Sequence, residues 1–175
     1  MSCTSPVPSA LALERVLDAE AGGAALRVGP GGIVAVREPI PLVSLLGSCV
    51  AVCLHDPAAR VGGMNHIVFA RGRGPDPKFG RTALTGLLGA LKSLGAVPGR
   101  LQAKVTGGGR VLASMDDIGS DNVDFVTEAL EALRLPVLAW DVRGDQGRKI
   151  IFEPWTGRLR VRRYDPRPKP PKESS

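Results

Sequence analysis

The chain of 175 residues has few of the residue types that form metal sites, disulfide frameworks and aromatic binding faces. It contains two histidines, three cysteines, one tyrosine, two tryptophans and four phenylalanines. An odd number of cysteines, Cys3, Cys49 and Cys53, argues against a disulfide framework. No Cys-x-x-Cys or His-x-x-x-His pair is present to bind a metal. We therefore expect neither a disulfide framework nor a metal site.

Long apolar runs are also missing. No run approaches the ~20 residues of a membrane span, and the first residues lack the basic segment and apolar stretch of a secretion signal. We therefore expect a cytoplasmic protein that does not insert into a membrane. The hydrophobic fraction of 43% is close to the globular average, and a chain of this length is expected to form one domain with its own core.

The excess of positive charge is concentrated at the C-terminus. The formal net charge is +6 and the isoelectric point is near 9.7. Residues 158–175 contain seven cations and two anions, a net charge of +5, so residues 1–157 are nearly neutral. The basic face with interspersed aromatic residues that is typical of nucleic-acid binders is missing. We expect a solvated basic tail and no nucleic-acid partner.

The composition along the chain predicts three parts. Residues 1–31 are predicted to be a variable N-terminal extension, with one helix in the amphipathic run Ser9–Glu20. Residues 32–163 are predicted to form the functional domain. Residues 164–175, which are rich in proline and basic residues, are predicted to be a disordered tail.

Within the domain, predicted strands outnumber predicted helices. The apolar segment Leu42–Asp56, interrupted by Gly47-Ser48, predicts two buried strands joined at a kink. Helices are predicted over Arg81–Leu94 and after Ser120, which is a good N-cap residue. The other predicted strands are Ile33–Arg37, Met64–Ala70, Leu101–Val105, Pro136–Val142, Lys149–Glu153 and Leu159–Arg163. This mixed order favours an α+β sandwich over a regular βαβ array.

One cysteine and one histidine are spaced in a way that could support covalent catalysis. Cys49 directly follows Gly47-Ser48, and His66 lies seventeen positions later in an apolar strand. A thiol needs a base to become a thiolate near neutral pH, and successive backbone N–H groups at the kink could bind an oxyanion. From spacing alone the catalytic signal is weak, and the pattern favours a small buried Cys49 and a hydrogen-bonded core His66.

Longer motifs extend this pattern over most of the chain. The sequence resembles CheD, the chemoreceptor glutamine deamidase family of bacterial chemotaxis, over roughly residues 33–163. The motifs that support the resemblance are LLGSCVAVCLHDP (Leu45–Pro57), VGGMNHIVF (Val61–Phe69), KFGRTAL (Lys78–Leu84), KVTGGGRVL (Lys104–Leu112), IGSDNVDFV (Ile118–Val126) and GDQGRKIIFEPWTGRLRVRR (Gly144–Arg163).

The resemblance implies a fold, an activity and a set of site residues. The fold would be a layered α+β sandwich of mixed β-sheets flanked by helices, like that of toxin deamidases. The activity would be a cysteine hydrolase without metal or organic cofactor, with Cys49 as nucleophile and His66 as base. We expect backbone N–H groups around Gly47 and Ser48 to bind the oxyanion. The family's third catalytic residue, a threonine shortly before Gly-Ser-Cys, is missing; the nearest hydroxyl is that of Ser44, which lacks the methyl that restricts χ1.

The resemblance also implies partners and leaves alternatives. The substrates would be glutamines in the cytoplasmic helices of methyl-accepting chemoreceptors, and the same thioester chemistry could hydrolyse glutamate methyl esters. A CheC-type phosphatase is a further candidate partner, and we expect a monomer. The alternative is a non-catalytic interaction module that binds receptors or a CheC-type protein. A basic nucleic-acid binder ranks third.

Overall fold

Two mixed β-sheets and two helices make up the computed structural model, which describes residues 13–72, 74–112 and 117–167. The α+β fold class predicted from the sequence is confirmed. No helix in the described residues is both long and apolar enough to span a membrane. The predicted tail falls partly outside this range, since Tyr164 ends a strand and residues 168–175 are not described.

Each sheet is built from strands that come from separate parts of the chain. The bounds are β1 Leu13–Asp18, β2 Gly23–Val28, β3 Ile33–Val36, β4 Leu42–Leu46, β5 Val50–Asp56, β6 Val61–Asn65, α1 Gly80–Ser93, a 3₁₀ turn Pro98–Arg100, β7 Gln102–Gly107, α2 Ile118–Ala132, β8 Val137–Val142, β9 Gly147–Glu153 and β10 Arg158–Tyr164. Sheet A has the order β1-β2-β4-β9-β10, and sheet B has the order β3-β6-β5-β7-β8. Each sheet contains one parallel pair, β2 with β4 and β7 with β8, among antiparallel neighbours.

Strand β5 is the centre of the packing because both of its faces are buried. One face contributes Val50, Val52 and Leu54 to a core shared with the two helices. The other face contributes Ala51 and Cys53 to a second core between the sheets, where they meet Leu42, Leu46, Ile150 and Phe152. Burial of both faces stabilises a three-layer order of sheet A, sheet B and helices.

The chain crosses from sheet A to sheet B at the predicted kink. Strand β4 ends at Leu46 in sheet A, and β5 begins at Val50 in sheet B. In β4, Leu42, Ser44 and Leu46 are buried, while Leu45 is 60% exposed. Alternation along the strand therefore points Ser44 into the layer between the sheets. The three residues Gly47-Ser48-Cys49 form the crossing.

Both helices of the domain occur where the sequence predicts them. Helix α1 buries Leu84, Leu87 and Leu91, and it is followed by Gly95 at φ +88°. Helix α2 begins three residues earlier than expected, because the N-cap is Asp117 and not Ser120. The Asp117 carboxylate accepts a hydrogen bond of 3.0 Å from the Ser120 backbone N–H.

The helix predicted within Ser9–Glu20 is wrong for the part that the structure describes. Leu13–Asp18 is strand β1, which pairs with β2 through six antiparallel residue pairs. Gly22 and Gly23, at φ +87° and +142°, turn the chain back at a place where other residues would be strained. Through β2, which pairs with β4, this hairpin is part of sheet A.

Candidate active site

The strand register places Cys49 and His66 on the same face of sheet B. Strands β5 and β6 pair with Cys53 opposite Met64. The register continues to Val50 and Ile67, which exchange backbone hydrogen bonds of 3.0 and 2.8 Å. His66 is therefore opposite Ala51, and Cys49 is its diagonal neighbour on the face toward sheet A. In agreement, Cys49 packs against the core between the sheets.

The imidazole of His66 is held from sheet A by two groups on neighbouring strands. Nδ1 of His66 lies 2.9 Å from Oγ of Ser44 and 3.2 Å from the backbone oxygen of Val28. The Ser44 hydroxyl donates to the same Val28 oxygen over 2.6 Å. The Val28 oxygen thus accepts from both Ser44 and His66, and His66 is only 2% exposed.

These contacts determine the tautomer of His66. A carbonyl oxygen can only accept, so both the hydroxyl of Ser44 and Nδ1 of His66 must present hydrogens to the Val28 oxygen. Nδ1 is therefore protonated in the neutral ring, and Nε2 has the free lone pair. Burial lowers the pKa of His66 below its ordinary 6.5, and the Val28 carbonyl only partly opposes this shift. At neutral pH the ring is therefore uncharged, and its Nε2 makes no hydrogen bond to the described residues.

The two cysteines on this face differ in accessibility. Cys49 is half-buried, and burial raises the pKa of its thiol to about 11. The resting thiol is therefore protonated and needs a base before it can attack. Cys53 is fully buried, and burial raises the pKa of its thiol further. Cys53 packs in the core between the sheets and is not presented to a substrate.

All three carbonyls of the Gly47-Ser48-Cys49 crossing are held by donors on the helix side. Gly109 N–H donates to the Gly47 oxygen over 2.9 Å, and Gly108 N–H donates to the Cys49 oxygen over 2.8 Å. The Ser48 oxygen accepts from Nδ2 of Asn122 over 3.0 Å. The N–H and C=O of a trans peptide point in opposite directions, so the N–H groups of Ser48 and Cys49 point away from these donors. In the described part of the chain, neither N–H donates to a carbonyl or side-chain oxygen.

The glycine loop Gly107-Gly108-Gly109, at the end of β7, is required by close packing against the Gly47-Ser48-Cys49 crossing. Gly107 and Gly108 have φ values of +112° and +67°. A Cβ on Gly107 would lie 2.2 Å from the Cys49 oxygen, and one on Gly108 would lie 2.4 Å from a methyl of Val123. The sequence motif is therefore a structural support of the site and not a phosphate loop.

A small groove opens beside Ser48. Its volume is about 30 Å³, and exposed apolar surface borders it at Leu112, which is 58% exposed. The other lining residues are Gly109, Arg110, Val111, Asp117, Ile118 and Gly119. The groove lies between the glycine loop and the start of α2.

The sequence of the chain is similar to that of proteins of one known family. The family model described as CheD chemotactic sensory transduction matches residues 70–163. A probable chemoreceptor glutamine deamidase CheD of Cupriavidus pinatubonensis is 38% identical, over 91% of this chain and 78% of that protein. A probable chemoreceptor glutamine deamidase CheD 1 of Anaeromyxobacter dehalogenans is 42% identical, over 81% of this chain and 85% of that protein. The chain belongs to the CheD family.

The resemblance to solved structures is weaker than the resemblance to CheD sequences. A Neisseria meningitidis protein of the DUF152 family model is similar over 64% of this chain and 53% of that chain, with a TM-score of 0.40 and 10% identity. This likeness is too slight to support an argument. The CheD assignment rests on the sequence relatives.

Two groups in this CheD site were not among the residues that the sequence analysis selected. The Val28 carbonyl is a backbone atom, and no sequence pattern marks such an atom as a partner of a histidine. Asn122 had a detectable signal, because it lies four residues before Val126 and eight before Leu130 on the buried stripe of α2. A polar residue on an apolar helix stripe is the pattern that would have indicated it.

We predict that Cys49 of this CheD protein is alkylated slowly at neutral pH. Iodoacetamide should modify Cys49 at a rate that still rises above about pH 9, because only the thiolate reacts and burial raises the pKa of the thiol. Cys53 should stay unmodified in the folded chain. Peptide mass spectrometry over a pH series measures both rates. The matched control is His66→Ala, which should leave the pH dependence unchanged. Rapid alkylation with a midpoint below pH 7 would instead reveal a thiolate–imidazolium pair at rest.

Proposed function

We propose that the chain is a protein-glutamine deamidase that converts glutamine side chains of methyl-accepting chemoreceptors to glutamate. The observation that supports it most is the set of contacts at His66: Nδ1 is engaged by Ser44 and Val28, and Nε2 remains available on the face shared with Cys49. The CheD relatives are named as probable chemoreceptor glutamine deamidases.

The first half of the reaction forms a thioester. Nε2 of His66 takes the proton of the Cys49 thiol while sulfur attacks the carboxamide carbon of the substrate. The carbon–sulfur bond forms, and the carbonyl electrons move onto oxygen. The resulting oxyanion accepts hydrogen bonds from the N–H groups of Ser48 and Cys49. The imidazolium then donates its proton to the leaving nitrogen, the carbon–nitrogen bond breaks, and ammonia departs.

The second half hydrolyses the thioester. Nε2 of His66 takes a proton from water as the water oxygen attacks the acyl carbon, and a second tetrahedral oxyanion occupies the same N–H groups. The carbon–sulfur bond breaks, the sulfur of Cys49 recovers a proton from the imidazolium, and glutamate is released. A glutamate methyl ester could enter the same sequence with methanol as the leaving group.

Ser44 has the role of a positioning residue in this scheme. Its hydroxyl donates to the Val28 oxygen, and its oxygen can accept from Nδ1 of His66. This contact supports serine as a replacement for the family's threonine, since the hydroxyl is the group that meets the imidazole. We also propose that the protein is cytoplasmic and monomeric, and that a CheC-type phosphatase is a further partner.

The direct test incubates the full chain with a cytoplasmic fragment of a methyl-accepting chemoreceptor. We expect glutamine-to-glutamate conversion, read by mass spectrometry of the fragment, and none with Cys49→Ala. The rate should be near its plateau at pH 7 and fall on acidification, because the base must be neutral and burial lowers the pKa of His66 below 6.5. Receptor binding by wild type without conversion would contradict the proposal and favour an interaction module.

Substitutions at Ser44 test the positioning role. Ser44→Ala should lower kcat for deamidation about 10-fold, because one hydrogen bond worth about 1.4 kcal/mol in orientation is lost. Ser44→Thr keeps the hydroxyl and should stay within about 3-fold of wild type. Initial rates on the same receptor fragment measure both. Equal rates for Ser44→Ala and wild type would remove Ser44 from the mechanism.

A further inference from the structure

We propose that Asn122 is a positioning residue of the oxyanion site, which aims the Cys49 N–H at the reacting oxygen by orienting the peptide bond between Ser48 and Cys49. The inference rests on the proposed deamidase function and assigns a role in it to helix α2. Asn122 is fully buried. Within the described residues, its side chain makes no hydrogen bond to the sulfur of Cys49.

The side-chain amide of Asn122 spans the backbone on both sides of the nucleophile. Nδ2 donates to the Ser48 oxygen over 3.0 Å and to the Val68 oxygen over 3.0 Å. Ser48 precedes Cys49 in the chain, and the strand register places Val68 opposite Cys49 on the neighbouring segment. The two hydrogens of one amide nitrogen therefore tie together the two backbone segments that flank the thiol.

The orientation of the amide follows from these two partners. Both partners are carbonyl oxygens, so only the nitrogen of Asn122 can face them; a flipped amide would place three acceptors together. Asn122 is thus a donor to the site, and an aspartate of the same shape could not replace it.

Peptide planarity transmits the contact to the reacting centre. The Ser48 C=O and the Cys49 N–H belong to one trans peptide and point in opposite directions. Holding the carbonyl toward α2 therefore directs the N–H away from α2, where it is free of other oxygens in the described chain. If this peptide turned over, a carbonyl oxygen would face the developing oxyanion and repel it.

The local energetics favour a functional role over a purely structural one. Asn122 lies on the buried stripe of α2 with Val126 and Leu130, where an apolar side chain would pack without polar desolvation. Its Oδ1 is buried and has no hydrogen-bond partner in the described residues, which is costly. The two donor contacts of the Asn122 amide therefore come with an unpaired buried acceptor, a cost that an apolar side chain at this position would avoid.

Helix α2, which carries Asn122, packs directly against the glycine loop Gly107-Gly108-Gly109. A Cβ on Gly119 would lie 2.6 Å from the Gly108 oxygen, so the first turn of α2 contacts the glycine loop directly. The same loop supplies the Gly109 N–H that holds the Gly47 carbonyl. Helix α2 thus orients the Ser48 N–H through the glycine loop and the Cys49 N–H through Asn122.

The test compares two reactions of the Cys49 thiol. Deamidation of the receptor fragment needs the oxyanion site, whereas alkylation of Cys49 by iodoacetamide is a displacement that forms no oxyanion. For Asn122→Ala we expect kcat for deamidation to fall about 100-fold, the magnitude typical of losing one oxyanion donor. KM and the rate of Cys49 alkylation should stay within about 2-fold of wild type, because the loss of a contact made only in the transition state lowers kcat without changing KM.

Two further variants separate positioning from stability. Val126→Ala removes buried volume from the same helix without touching the crossing, and it should deamidate within about 3-fold of wild type while folded. Asn122→Leu fills the site with an apolar side chain of similar size, and it should fold yet show the same loss of kcat as Asn122→Ala. Thermal unfolding of each variant confirms the folded fraction at the assay temperature.

The outcomes distinguish the inference from the function on which it rests. An inactive wild type would overturn the proposed function and the inference with it. An active wild type with equally active Asn122→Ala and Asn122→Leu variants would overturn the inference alone. A parallel loss of deamidation and Cys49 alkylation, or an equal loss in Val126→Ala, would show that Asn122 only supports the fold and would also overturn it.

Discussion

The backbone oxygen of Val28 is the group on which the arrangement of the site depends. It accepts from the Ser44 hydroxyl over 2.6 Å and lies 3.2 Å from Nδ1 of His66. Because a carbonyl only accepts, this one atom determines which nitrogen of the imidazole carries the hydrogen. It also joins β2 and β4 of sheet A to His66 of sheet B. The base is therefore oriented by the packing of two sheets and not by its own strand.

The proposed nucleophile, Cys49, also lies at the boundary between the two sheets. Cys49 lies where the chain crosses from β4 to β5, and the carbonyls of that crossing are held by Gly108, Gly109 and Asn122. Because these carbonyls face the helix side, the N–H groups of Ser48 and Cys49 point the other way and can donate to a substrate oxygen. In the proposed site, the thiol and the oxyanion donors share the Gly47-Ser48-Cys49 crossing, which is held from the helix side, whereas sheet A orients the imidazole of His66.

The sequence predicted the parts of this arrangement that depend on side-chain type and periodicity. The kinked strand pair, both domain helices and the proximity of Cys49 to His66 follow from apolar patterning and from the motifs shared with CheD proteins. The helix predicted within Ser9–Glu20 is wrong for strand β1, because a short amphipathic run fits either structure until its pairing partner is known. The role of the Val28 carbonyl could not be predicted, since a backbone acceptor has no residue-type signal. Asn122 could have been predicted, because it is a polar residue on the apolar stripe of α2.

The central claim is that His66 is a neutral base with its proton on Nδ1. Nitrogen-15 NMR of the full chain labelled at histidine tests it directly, with His66→Gln used to assign the ring signals. We expect a protonated, pyrrole-type Nδ1 and an unprotonated, pyridine-type Nε2 for His66 at pH 7, because the Val28 oxygen accepts from Nδ1 and burial lowers the pKa of the ring. A proton on Nε2 at that pH, or an imidazolium with both nitrogens protonated, would contradict it.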